Sequence, residues 1–105
     1  MLSLLEPFHL RWLEEPVIRD DTRGYKKLKA YGRVPIAGGE HEFTISGFRE
    51  LLEANALDYI QFDTNPVGGI SQARKISALA KAYLVPVVPH AGQMHNYYVV
   101  KASPI

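Results

Sequence analysis

The sequence predicts an α/β fold in which about four consecutive strand–helix units build a parallel sheet, an arc of a (β/α) barrel. Three observations lead there. Four short apolar runs alternate with segments of helical periodicity. Each run stops at or just before a residue capable of chemistry. Those residues, Glu14, Glu40, Asp63 and His90, follow one another at intervals of 26, 23 and 27. A unit of a complete eight-unit barrel averages roughly 31 residues, so these intervals belong to the same class.

Taken in order, the residues before Leu10 carry Leu2, Leu4 and Leu5 and read as the end of an earlier helix. The first strand is expected at Leu10–Glu14 (LRWLE), the second at Val34–Gly38 (VPIAG), the third at Leu57–Asp63 (LDYIQFD) and the fourth at Val85–His90 (VPVVPH). Each is short, rich in branched or aromatic residues and bounded by polar, Gly or Pro residues, as a buried strand should be. The first helix is expected over Thr22–Tyr31, with Tyr25, Leu28 and Tyr31 on one face and Gly32 as its stop. A second covers Thr44–Asn55, where Ile45, Phe48, Leu51 and Leu52 share a face and Gly47 is a local weakness. A third covers Ser71–Leu84, with Ser71 as its cap and Ala73, Ile76, Leu79, Ala80 and Tyr83 apolar on one side. The stretch from Asn96 to Ile105 is ambiguous.

Composition excludes several classes. The 105 residues include 12 Lys+Arg against 11 Asp+Glu, with 47% apolar and 22% charged residues. These are the proportions of a globular domain and not of a disordered chain. The length suits one core and not two domains. Near-neutral charge without a basic run argues against nucleic acid as a partner. No apolar stretch approaches the roughly 18 residues of a membrane span, and the N-terminus lacks a basic region and cleavage site. Four histidines and no cysteines remove disulfides, thiol nucleophiles and cysteine zinc sites. The expected location is the cytoplasm.

Parallel α/β folds place their chemistry at the carboxyl ends of the strands, so two Glu, one Asp and one His would share one rim. Alternation in Tyr59–Asp63 puts Tyr59, Gln61 and Asp63 on the barrel-interior face and Ile60 and Phe62 towards the helices. The same parity pairs Trp12 with Glu14 and leaves Glu15 on the other side, making Glu14 the better ligand candidate. Carboxylates on adjacent strand ends supply hard oxygen donors suited to Mg²⁺. A cation there stabilises charge developing beside a substrate carboxylate, and a histidine such as His90 serves as base, its tautomer set by a carboxylate such as Asp63. Simpler readings stand beside these: loop carboxylates at Glu14 and Glu40, an Asx turn at Asp63, a packed histidine at His90, and surface or packing histidines at His9 and His95.

The motifs Trp12-Leu13-Glu14-Glu15-Pro16, Gly39-Glu40-His41-Glu42-Phe43, Asp63 with Gly68-Gly69-Ile70, and Val88-Pro89-His90 together resemble the enolase superfamily. More narrowly, the GEHEF segment and the run from Pro89 to Tyr97 resemble the mandelate-racemase-like acid-sugar dehydratases of the L-rhamnonate type. The resemblance implies a TIM-type barrel, with residues 1–105 forming roughly its fourth to seventh βα units. The N-terminal capping domain, the early strands and a third metal carboxylate would be absent from this chain, so Mg²⁺ would be held weakly. It implies Glu14 and Glu40 as metal ligands, His90 as base and Asp63 as its partner, with His41 and His95 near the sugar hydroxyls. The implied reaction is removal of the proton alpha to a carboxylate and loss of water to a 2-keto-3-deoxy acid, the partner being a small acid sugar and full-length relatives being homo-oligomeric. The alternatives are an inactive truncated fragment of such an enzyme, another superfamily member such as a racemase, and a small flavodoxin-like binding domain.

Overall fold

The computed structural model describes residues 1–103 as a mixed α/β structure, a partial barrel with three paired parallel strands. Helix α1 (Leu2–Leu5) runs into a 3₁₀ turn at Glu6–Phe8, where Pro7 occupies a first-turn position that needs no N–H. His9 then adopts a left-handed conformation and turns the chain towards β1 (Leu13–Glu14). The remaining elements are α2 (Thr22–Tyr31), β2 (Ile36–Gly38), α3 (Ile45–Glu53), β3 (Tyr59–Ile60), α4 (Ile70–Ala82) and α5 (Met94–Ala102). The ambiguous tail is therefore helical as far as Ala102, and Pro104 and Ile105 lie outside the described residues.

The sheet order is β1-β2-β3, all parallel, with Leu13 opposite Ile36 and Ala37 opposite Tyr59. All strands are shorter than expected. Residues 10–12 find no ladder partner, because pairing with β2 begins only where Leu13 N–H donates to Pro35 O at 2.8 Å. The fourth segment is extended but reduced to one bridge, Ile60 to Val87. Part of the reason is chemical: the N–H groups of residues 88 and 90 face β3, and Pro86, next on that side, has none to give. The segment still lies alongside β3, with Val88 N donating to Ile60 O and His90 N to Phe62 O, both at 2.8 Å.

Helix ends follow local chemistry. Asp21 caps α2 by accepting from Gly24 N at 2.8 Å, and Gly32 closes it at φ 70°. Thr44 caps α3 by accepting from Gly47 N at 3.0 Å. Ser71 does not cap α4, which begins one residue earlier behind Gly69 and has no side-chain cap. Glycine 69 sits at φ 95°, a backbone that serine would reach only under strain, so the helix starts from the glycine turn.

One apolar core lies between the sheet and the helices. Ile36, Ile60 and Phe62 pack with Tyr25 of α2, Phe48 and Leu52 of α3, Ala73, Ile76 and Ala80 of α4, and Val99 of α5. Phe48 meets Phe62 edge-on, ring centres 6.5 Å apart. Each buried Ile, Leu, Val or Phe side chain among them contributes roughly 1.5–3 kcal/mol. The other sheet face is polar and aromatic: Trp12 stacks obliquely near Tyr59 at 5.5 Å, and Gln61 reaches Glu14. Helices on one face and polar groups on the other are what an arc of a barrel requires.

Candidate functional site

The strand ends deliver their side chains to one rim. Glu14 closes β1, and Glu40 follows β2 after a single glycine. That glycine is required. Gly39 has φ 116°, and a Cβ there would lie 2.9 Å from both Gln61 O and the Phe48 ring. The tight bend swings Glu40 inward over the end of the sheet. Asp63 and His90 are held level by the His90 N to Phe62 O bond.

Glu14, Glu40 and His90 each bring one ligand atom to a common region, all within 4.8 Å of one another. His90 Nε2 stands 2.9 Å from Glu40 Oε2, and Nδ1 is turned to Asp63 Oδ2 at 3.9 Å. His90 is thus closer to Glu40 than to Asp63. One Asp63 oxygen also accepts from Asn65 N at 3.3 Å, the Asx-turn use that its sequence allowed. Glu14 Oε2 accepts from Gln61 Nε2 at 2.9 Å and from Trp12 Nε1 at 3.4 Å. The residues present suit a hard divalent cation: two carboxylates converge from adjacent strands, and carboxylate oxygens are what Mg²⁺ prefers.

A second group, Glu15, Glu40 and His41, adjoins the first. His41 Nδ1 contacts Glu15 Oε2 at 2.9 Å and approaches Glu40 Oε1 to 3.6 Å. Beside it opens a cavity of about 240 Å³, whose lining includes Glu15, Arg19, Tyr25, His41, Glu42 and Glu50. The Tyr25 phenol is pushed up to about 12 by burial, reinforced by the negative charge of Glu15, Glu40 and Asp21. Its hydroxyl donates to Val17 O at 3.3 Å. His95 stands apart, exposed in the first turn of α5, and joins neither cluster.

Three residues at the rim carried no functional weight in the sequence. Glu15 sits at φ 38°, and this left-handed kink breaks the strand alternation that sent its carboxylate elsewhere. Gln61 had a signal, its parity with Glu14. Asn96 had only its place in the resembling run from Pro89 to Tyr97, and no periodic signal, since it also falls in the ambiguous tail. Buried at 5% exposure, it binds Thr64 through Oδ1 and the His90 and Ala91 carbonyls through Nδ2, tying the His90 loop to the segment that follows β3.

The enolase C-terminal domain-like family matches residues 1–103. The L-rhamnonate dehydratase of Saccharopolyspora erythraea is 46% identical over 97 residues, 89% of this chain and 24% of that protein. Among solved structures, the L-talarate dehydratase of Polaromonas sp. JS666, complexed with Mg and L-glucarate, gives a TM-score of 0.93 at 32% identity, covering 99% of this chain and 29% of that one. A racemase of Streptomyces coelicolor with bound magnesium gives 0.93 at 31% identity, covering 98% and 31%. The chain spans about a quarter of the length of the curated relatives it matches. Its parallel sheet, its strand-end carboxylates and a match over nearly its whole length agree: the chain belongs to the enolase C-terminal domain-like family.

Proposed function

We propose that this chain is the barrel segment of an acid-sugar dehydratase acting on an L-rhamnonate-like aldonate, in which Glu14 and Glu40 hold Mg²⁺, His90 is the base and Asp63 orients it. The observation that carries the reading is the convergence of Glu14, Glu40 and His90 from the ends of β1, of β2 and of the extended segment beside β3. The names of the similar dehydratases supply the substrate class. Bound at the two carboxylates, a divalent cation would polarise the substrate carboxylate and acidify the neighbouring C–H.

The chain's own residues do the rest. His90 Nε2 is the nitrogen on the cluster side and is assigned the alpha proton, which it takes once the Glu40 carboxylate, 2.9 Å away and accepting from it, turns aside; Nδ1 is turned towards Asp63 at 3.9 Å. Loss of that proton and of the β-hydroxyl as water leaves an enol, which becomes the 2-keto-3-deoxy acid. Of the two histidines proposed to meet sugar hydroxyls, His41 lies between Glu40 and the adjoining cavity, while His95 on α5 lines neither that cavity nor the clusters.

The test places this segment in the matching stretch of the Saccharopolyspora L-rhamnonate dehydratase. The chimaera is expected to form 2-keto-3-deoxy acid, and His90→Asn to lower its rate by about 10²–10⁴, the usual worth of a general base. Asp63→Asn should lower it less. Undiminished dehydration in His90→Asn would overturn the assignment. A racemase reading is favoured by the likeness to the magnesium-bound racemase. It predicts inversion at the alpha carbon without loss of water, so a product assay separates the two.

A further inference from the structure

Gln61 is 4% exposed, follows β3 and projects from the sheet's polar face. Its amide makes one hydrogen bond, from Nε2 to Glu14 Oε2 at 2.9 Å, while its buried Oε1 has no partner among the described residues. The orientation is chemically fixed, because a carboxylate accepts and only the NH₂ end donates. A glutamine kept for packing would be replaced by an apolar side chain of similar shape without burying an unsatisfied oxygen. Here the unsatisfied oxygen is tolerated and the donor is spent on one atom of one carboxylate. Trp12 Nε1 reaches the same Oε2 at 3.4 Å, so both donors converge on it and leave Glu14 Oε1 uncommitted.

We infer that Gln61 is a positioning residue for the cation site: with Trp12 it clamps Oε2 of Glu14 so that the other carboxylate oxygen faces a metal ion in a fixed direction. The inference rests on the proposed reading of Glu14 as a ligand. Donors behind a metal-binding carboxylate hold its orientation, and their loss typically costs roughly 10–100-fold in metal affinity. Gln61 acts through Glu14 and not by touching the ion.

The probe is Mn²⁺ titrated into the full chain and followed by electron paramagnetic resonance. Trp12 is the single tryptophan and touches Glu14, so its fluorescence gives a second readout. Gln61→Met keeps the volume and removes the donor. Its dissociation constant for Mn²⁺ is expected to rise about 10-fold or more. Its thermal midpoint without metal should not fall below that of the unaltered chain. Trp12→Phe, which removes the other donor, should weaken binding in the same direction and keeps the test open if the first variant does not fold. A folded Gln61→Met chain that binds Mn²⁺ as tightly as the unaltered one overturns the inference. Failure of the reading beneath it looks different: the unaltered chain binds no Mn²⁺, or Glu14→Gln leaves binding unchanged. Either result removes the cation site and the inference with it.

Discussion

At the scale of single residues, backbone conformation decides who reaches the rim. Gly39 and Glu15 both occupy the left-handed half of φ, one as the residue type that adopts it freely and one at a cost. Because Gly39 also leaves no room for a Cβ, Gly39→Ala should lose about 1–3 kcal/mol in urea unfolding and displace Glu40. Gly92→Ala, where nothing lies within 4 Å, should stay within about 0.5 kcal/mol and serves as the control. Gly47, which the helical pattern marks only as a weakness, has its own reason: a Cβ there would collide with the Glu42 carboxylate. Such contacts join residues brought together by a turn, so a periodic pattern holds no trace of them. The parity of Gln61 and Glu14, by contrast, follows from strand alternation and could be read directly.

Among the elements, those with local punctuation were readable and those that depend on a partner were not. Helix α2 begins at Thr22 and ends at Tyr31 as its periodicity and Gly32 indicate. The fourth segment has the apolar character of a strand, yet with Pro86 on the side facing β3 it keeps one bridge, and the rigidity the ladder does not supply comes from elsewhere. Asn96 of α5 supplies it, spanning Thr64 and the backbone of His90 and Ala91. Asn96→Leu would strand the Thr64 hydroxyl and two carbonyls, so a loss of at least about 2 kcal/mol is expected by chemical denaturation. The His90 loop should lose hydrogen-exchange protection first, because the anchor sits there. A loss below 0.5 kcal/mol in that variant would show the clasp to be incidental.

For the whole molecule, the arrangement of layers and the order of strands were legible from the spacing of four motifs, while the length of each strand was not, because ladder length depends on what lies alongside. Global stability should carry the signature of Tyr25. Its pKa is raised from an ordinary value near 10 to about 12, so the folded chain holds that proton where the unfolded chain releases it. The contribution is complete below pH 10 and is lost as pH climbs towards 12, amounting to about 2–3 kcal/mol at the upper end. Urea midpoints of the chain should therefore drop faster than those of Tyr25→Phe across that window. Parallel declines in the two would show that the phenol is not coupled to folding.

The sheet order β1-β2-β3 means that every strand pairs with the next one along the chain. Each closure spans roughly two dozen residues, and closure entropy grows only logarithmically with length, so no step of assembly is much costlier than another. Among the described strands, none waits for a distant segment. β1 precedes β2 and β2 precedes β3 along the chain, so each strand's partner is already synthesised when it emerges. A topology of this kind keeps the contact order modest for a parallel sheet. It also gives an architecture that lengthens by repeating a unit without rethreading the chain.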